Sequence, residues 1–146
     1  MRISTRSRYG IRLMINLASN YNKGHAFLKD IAREEEISEK YLSQIVIPLR
    51  RAGLISASRG VHGGYTLLKS PSEITARQIV EVLEGDMALI ECERDRGCCN
   101  RVANCASRGL WEGLSEKITE YLSSVTLDEL LKIKQEKASN TIEYSI

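Results

Sequence analysis

The sequence predicts a mainly α-helical chain carrying one small β-hairpin, and three observations predict it. Two short apolar-periodic segments joined by a tight turn precede a glycine-rich hairpin, the order of a winged helix-turn-helix. Further on, apolar residues recur in steps of three and four over a long segment. Between these two parts lie all four cysteines of the chain, Cys92, Cys98, Cys99 and Cys105, within fourteen residues.

The first helix is expected from about Ser4 to Tyr21, because Ile11, Met14, Leu17, Ala18 and Tyr21 return to one face at helical spacing. Asn22, Lys23 and Gly24 break it. A second helix, near Leu28 to Glu36, buries Leu28, Ile31 and Ala32. Ile37 and Ser38 make a tight connection, and Ser38 is a natural N-cap for a third helix through Ala52. Leu42, Ile45, Val46 and Leu49 point inward there, and Pro48 bends the helix or removes one hydrogen bond. Gly53 closes it. Residues 54–58 and 65–68 form two short strands around Arg59-Gly60-Val61-His62-Gly63-Gly64.

Ser70-Pro71-Ser72 reads as a linker, followed by a helix from Thr75 to Glu84 stopped by Gly85. After the cysteine loop a long helix runs from about Ser107 to Val125, with Trp111, Leu114, Ile118, Tyr121 and Val125 along one seam. The earlier helices already supply a core, so this seam is assigned to self-association as a homodimer. Thr126-Leu127-Asp128-Glu129 has capping-box spacing for a short final helix, and a polar tail beyond Lys134 is expected to fray. The organisation is therefore residues 1–70 as the winged helix-turn-helix, its first helix shared with the dimer core, then 71–106 as connecting helix and cysteine loop. Residues 107–134 are the dimerisation helix and short last helix, and 135–146 the tail.

Charge divides along the same line. The net charge is only +2, yet residues 1–69 carry twelve Lys/Arg against five acids and residues 70–146 carry nine against fourteen. A basic first half faces a polyanion, here double-stranded DNA. The outward side chains near the start of the third helix, Ser38, Lys40, Tyr41, Ser43 and Gln44, suit base edges in the major groove. Arg50 and Arg51 lie further along, where the DNA backbone is their partner. In the wing, Arg59 sits beside glycines that allow close approach to the minor groove, and His62 is better placed for DNA than for metal.

The cysteine segment is polar and cannot bury itself, so a ligand must organise it; a metal or iron–sulfur cluster is the leading reading, with a disulfide or reactive thiol pair behind it. No apolar run is long enough for a signal peptide or a membrane span, which places the chain in the cytoplasm, where thiols stay reduced. Structural zinc would show short C-x2–4-C steps, which this spacing lacks. No nucleophile–base set, acid pair or phosphate-cradling loop points to an enzyme.

Met1-Arg2-Ile3-Ser4-Thr5-Arg6-Ser7-Arg8-Tyr9-Gly10, Ile37–Gln44, Leu49-Arg50-Arg51-Ala52-Gly53-Leu54, Arg59-Gly60-x-x-Gly63-Gly64-Tyr65 and Ile74–Gly85 together resemble the IscR-type bacterial transcription regulators, over roughly residues 1–131. The resemblance implies a homodimeric regulator acting in iron–sulfur, nitric-oxide or cysteine-linked gene control. In cluster-binding members three cysteines hold an iron–sulfur cluster, here taken as 2Fe–2S rather than 4Fe–4S. Cys92 and Cys105 match the outer pair; Cys98 keeps a five-residue gap after Cys92 and Cys99 a five-residue gap before Cys105, so one residue is extra and Cys99 is favoured as the central ligand. Some members complete the cluster with a histidine where Arg108 stands here, others with an acid where Arg8 stands, and neither arginine is a ligand. Position 43 is Ser where members often carry Glu. The function expected is thus a DNA-binding regulator gated by a cluster on the loop of Cys92, Cys99, Cys105 and Cys98, with the fourth ligand open among the spare cysteine, Ser107, a carboxylate such as Glu91 or Glu93, and an exogenous thiol or water. The alternative is a thiol or soft-metal switch using Cys98 and Cys99 without a cluster.

Overall fold

The computed structural model describes residues 3–143; Met1 and Arg2 of the opening motif and residues 144–146 of the tail lie outside the described residues. Seven helices and one hairpin follow in the order α1 (Thr5–Ser19), α2 (Leu28–Glu35), α3 (Glu39–Arg51), β1 (Ile55–Ser58), β2 (Gly64–Leu67), α4 (Ala76–Glu84), α5 (Glu91–Arg94), α6 (Ala106–Ser124) and α7 (Leu127–Glu143). The mainly helical fold with its antiparallel hairpin is the one the sequence predicts.

One core runs through the molecule. Leu13, Met14 and Leu17 of α1, Ile31 of α2, Leu42, Ile45 and Leu49 of α3, Ile79 of α4 and Leu127 of α7 belong to a single buried cluster. Each such side chain contributes about 1.5–3 kcal/mol through burial. α1 lies at its centre, packed against α2, α3, α4, β2 and α7. This explains why its buried surface differs from the expected stripe: Ser7, Gly10, Leu13 and Asn16 are buried, whereas Ile11 and Tyr21 are half-buried at the margin. Gly10 permits the close approach of α4, since a Cβ there would come within 2.2 Å of Leu83 Cδ1.

Local chemistry fixes the ends. Ser4 caps α1 by accepting from the Ser7 N–H, and Ser38 caps α3 by accepting from the Tyr41 N–H. Thr75, expected as the first helical residue of α4, is its N-cap and closes a capping box with Gln78. The capping box expected at Thr126 and Glu129 forms, with Thr126 N–H donating to Glu129 Oε2 at 2.7 Å and Glu129 N–H to Thr126 Oγ1 at 3.3 Å.

Three segments differ from expectation. Ser70-Pro71-Ser72 is an ordered 3-10 turn over Pro71–Glu73, with Pro71 buried and Ser70 and Glu73 in a capping box. α7 is not short: it continues to Glu143, because Gln135, Glu136, Lys137 and Ala138 are strong helix formers despite their polarity. It returns across the molecule, where Lys134 Nζ donates to Glu34 Oε1 at 3.0 Å and Glu35 Oε1 at 3.3 Å. The wing gains a third backbone partner, Ala26, which exchanges two hydrogen bonds with Tyr65 at 2.9 and 2.8 Å.

That stitch depends on Gly64. Its φ is +131°, and a Cβ would lie 2.7 Å from the Ala26 carbonyl oxygen. Gly64→Ala is expected to destabilise the fold by about 1–3 kcal/mol, the range for a strained backbone position. Thermal unfolding checks this, and an unchanged melting temperature would show that the wing root yields freely.

Candidate DNA interface and cysteine loop

The turn between α2 and α3 is set by Glu36, whose φ of +52° ends α2, and by Ile37, buried at 6% exposure. With Leu42, Ile45, Val46 and Leu49 turned into the core, α3 leaves Ser38, Lys40, Ser43, Gln44, Arg50 and Arg51 exposed. Two of these hydroxyls also work locally. Ser38 Oγ accepts from the Tyr41 N–H at 3.4 Å, which leaves its proton free to donate, and Ser43 Oγ donates to the Lys40 carbonyl at 2.7 Å, which leaves its lone pairs to accept. Tyr41 is only half-exposed, its ring edge-on to Tyr9 with centroids 5.8 Å apart. Ile47, 49% exposed, shares the outward face one turn beyond Ser43 and Gln44. Its signal was positional: an apolar residue on a polar helix face, suited to a thymine methyl.

In the wing, Arg59, Val61 and His62 are all exposed around a turn closed by the Gly63 N–H donating to the Gly60 carbonyl at 3.0 Å. Gly63 has no room for a side chain, since a Cβ would stand 2.4 Å from the Ser58 oxygen. Arg12 and Arg33 pair with Glu35 and Asp30. Among the described residues, Arg8, Lys40, Arg50, Arg51 and Arg59 have no carboxylate within 4 Å. The basic surface is therefore uncompensated where it meets the outward face of α3 and the wing.

The cysteine loop has both ends on α6. Cys92 is half-buried on the single turn α5, which no apolar period in the cysteine segment signals. The neighbouring Glu93 anchors α5: its Oε2 accepts from Ser115 Oγ of α6 at 2.8 Å and from the Leu89 N–H at 3.1 Å. Arg94 pairs with Asp86 at 2.6 Å and donates to the Ala88 carbonyl, bracing the segment before α5. At the other end Cys105 is the N-cap residue of α6, with its Sγ 3.2 Å from Ser107 Oγ.

Cys98 and Cys99 stand exposed between these anchors, and all four thiols are free. The Cys98 thiol is pushed up from its ordinary range, by partial desolvation first and then by Cys92, Glu91, Asp95 and Cys99, so Cys92 and Cys98 lie within electrostatic reach of each other. The Cys105 thiol is pulled down, by Ser107 first and then the Arg108 backbone N–H. The Arg101 N–H points at Cys99 Sγ, 3.4 Å away. Among the described residues no three His, Cys, Asp or Glu side chains converge as a metal site. By chemistry, however, the donor set of four free thiols in one loop fits an iron–sulfur cluster. Arg108 is turned to Glu112 at 2.7 Å, and Arg8 is exposed on α1.

α6 has no fully buried residue. One side packs on α4 and α5, where Ile118 and Leu122 line a groove with Val80. The other leaves Leu110, Trp111, Leu114 and Tyr121 exposed at 64, 39, 38 and 68%. Among the described residues no helix is long and apolar enough to cross a membrane.

Residues 3–133 match the family model described as "Rrf2: Iron-dependent Transcriptional regulator". The chain is 42% identical over 130 residues to the HTH-type transcriptional regulator CymR of Bacillus subtilis, covering 89% of each chain. It is 34% identical over 135 residues to the HTH-type transcriptional regulator IscR of Pectobacterium carotovorum, covering 92% of this chain and 82% of that one. The solved structure of CymR, described as the global cysteine regulator of B. subtilis, superposes with a TM-score of 0.78 at 41% identity, over 91% of this chain and 98% of that one.

Proposed function

The chain belongs to the Rrf2 family of transcriptional regulators, and from that premise we propose that it is a homodimeric DNA-binding regulator gated by an iron–sulfur cluster on the cysteine loop. Its relatives are named as regulators of transcription, not enzymes, and DNA is the partner that family membership implies. Ser38, Lys40, Tyr41, Ser43 and Gln44 face the major groove, where Lys40 reaches phosphate or guanine, Arg50 and Arg51 hold the backbone, and Arg59 and His62 enter from the wing.

One observation carries the cluster reading: four free thiols occupy a loop whose two ends are both fixed to α6. Cys92, Cys99 and Cys105 are the three ligands: the outer pair matches cluster-binding relatives, Cys99 keeps their gap to Cys105, and the Gly97-containing stretch absorbs the one extra residue before it. Cys98, the remaining free thiol of the loop, is the fourth. The cluster supplies a state that oxidation, nitric oxide or iron loss can change. Glu93 and Cys105 pass a change in loop packing to α6. In a dimer, α6 sets the separation of the two α3 helices, which must match half-sites about one DNA turn apart.

Anaerobic purification with iron and acid-labile sulfide quantification tests this, combined with selection of duplexes from a random pool. Iron and sulfide in comparable amounts and an enriched operator are expected, with Arg59→Ala weakening operator binding by about 1–3 kcal/mol. Protein that takes up neither after reconstitution refutes the cluster. A pool without enrichment refutes sequence-specific control.

A second reading has its own support. The B. subtilis relative of known structure is a cysteine regulator, and Cys98 and Cys99 are adjacent, free and exposed. Such a protein would sense through thiol oxidation or a soft metal, and operator binding would respond to oxidant in protein shown to hold no iron.

A further inference from the structure

A recess of about 650 Å³ opens between α1 and α3, lined by Thr5 and Tyr9 of the first and by Lys40, Tyr41 and Gln44 of the second, with Glu36 at its rim. Three of its residues belong to the outward face of α3, so the recess continues the surface already assigned to DNA. Its openness suits a group presented by a larger body better than an enclosed small molecule. We propose that this recess seats a phosphate of the DNA backbone, which makes Thr5 and Tyr9 of α1 part of the DNA interface alongside Lys40. This rests on the DNA-binding assignment above.

The lining provides the donors that phosphates attract. Lys40 has no carboxylate within 4 Å among the described residues, and there the hydroxyls of Thr5, Tyr9 and Tyr41 make no hydrogen bond. Hydroxyls and lysines of this kind make a large share of protein–DNA hydrogen bonds, which position the protein without reading sequence.

Tyr9 is also held in place before any ligand arrives. The Arg12 guanidinium lies 5.5 Å from its ring centroid, and Tyr41 meets it edge-on at an interplanar angle of 89°. Arg12 Nε donates to Glu35 at 3.0 Å, and Glu35 is held in turn by Lys134 of α7. A side chain fixed this way loses little freedom on binding. Glu36 is the opposing element, the one carboxylate among the lining residues, exposed and repelling a phosphate.

The test uses the full chain with its selected operator and a random duplex of equal length, at one fixed salt concentration. Tyr9→Phe keeps the ring contacts and removes only the hydroxyl, and Thr5→Val removes the other. Each is expected to weaken binding to both duplexes by the same factor, about five- to tenfold, with an unchanged melting temperature. Glu36→Gln is expected to tighten both about two- to threefold. Wild-type affinity in the double Thr5→Val, Tyr9→Phe variant would overturn the proposal. So would a loss confined to the operator, which would mean these residues serve base reading. Protein that binds all duplexes alike would refute sequence-specific control, yet the phosphate seat would still be scored on the random duplex.

Discussion

Leu114→Glu is expected to convert the protein from dimer to monomer while leaving the protomer folded. Leu114 lies on the exposed side of α6 with Leu110, Trp111 and Tyr121, outside the buried core. Two apposed copies of that face would bury the new carboxylate without a partner, at a cost of about 3–5 kcal/mol per charge. Since each 1.4 kcal/mol is about tenfold, dimer affinity falls by at least about a hundredfold. Ile118→Glu should do more damage. Ile118 lines the groove with Val80 and Leu122, so its substitution strips support from α4 inside the same protomer. Sedimentation at micromolar concentration reads the first effect and thermal unfolding separates the second. Wild-type protein that sediments as a monomer, or a Leu114→Glu variant that stays dimeric, refutes the α6 interface. The monomer should also lose most operator affinity, because it can engage one half-site at a time.

Cys92→Ser, Cys99→Ser and Cys105→Ser are each expected to abolish the visible absorbance and bound iron of anaerobically reconstituted protein. Cys98→Ser is expected to keep iron but shift the spectrum, because an oxygen donor replaces one thiolate. The outer two thiols have fixed places in the fold, Cys92 on the anchored turn α5 and Cys105 at the start of α6. The inner pair is the sharper question. Spacing to Cys105 favours Cys99 as the third ligand, which leaves Cys98 the fourth place. Loss of iron in Cys98→Ser with retention in Cys99→Ser would reverse that order. Retention in all four variants would remove the cluster. Arg108→His places an imidazole three residues after Cys105, and in the Cys98→Ser background it is expected to shift the spectrum again, as a nitrogen donor replaces the oxygen one.

The helix-turn-helix was legible because its residues obey strong local rules. The spacing of Leu42, Ile45, Val46 and Leu49 fixes which side of α3 is inward, and the Ser38 cap fixes where it starts. The outward candidates then follow by subtraction, and all but Tyr41 are fully exposed. What the sequence could not reveal depends on long-range packing. The run after Lys134 has no apolar period to announce a helix, and its helix propensity together with the Lys134 pairs to Glu34 and Glu35 carries α7 to Glu143. Ala26 reaches Tyr65 across nearly forty residues by backbone atoms alone, which no side-chain pattern records. The arrangement of the cysteine loop was equally silent, since a segment without apolar period carries no sign of which thiols approach each other.

The return of α7 across α1 and α2 also bears on how this chain is made. Lys134 meets Glu34 after an interval of 100 residues, and Leu127 completes a core whose other walls come from α1, α3 and α4. On the ribosome, therefore, the helix-turn-helix emerges long before the helix that covers α1, and α1 waits with an apolar flank uncovered. Such non-local closure slows folding and leaves the nascent chain open to aggregation and to chaperone capture. The regulator thus gains a finished DNA-reading head only after α7 has been translated, so incomplete products lack a settled fold with which to compete for the operator.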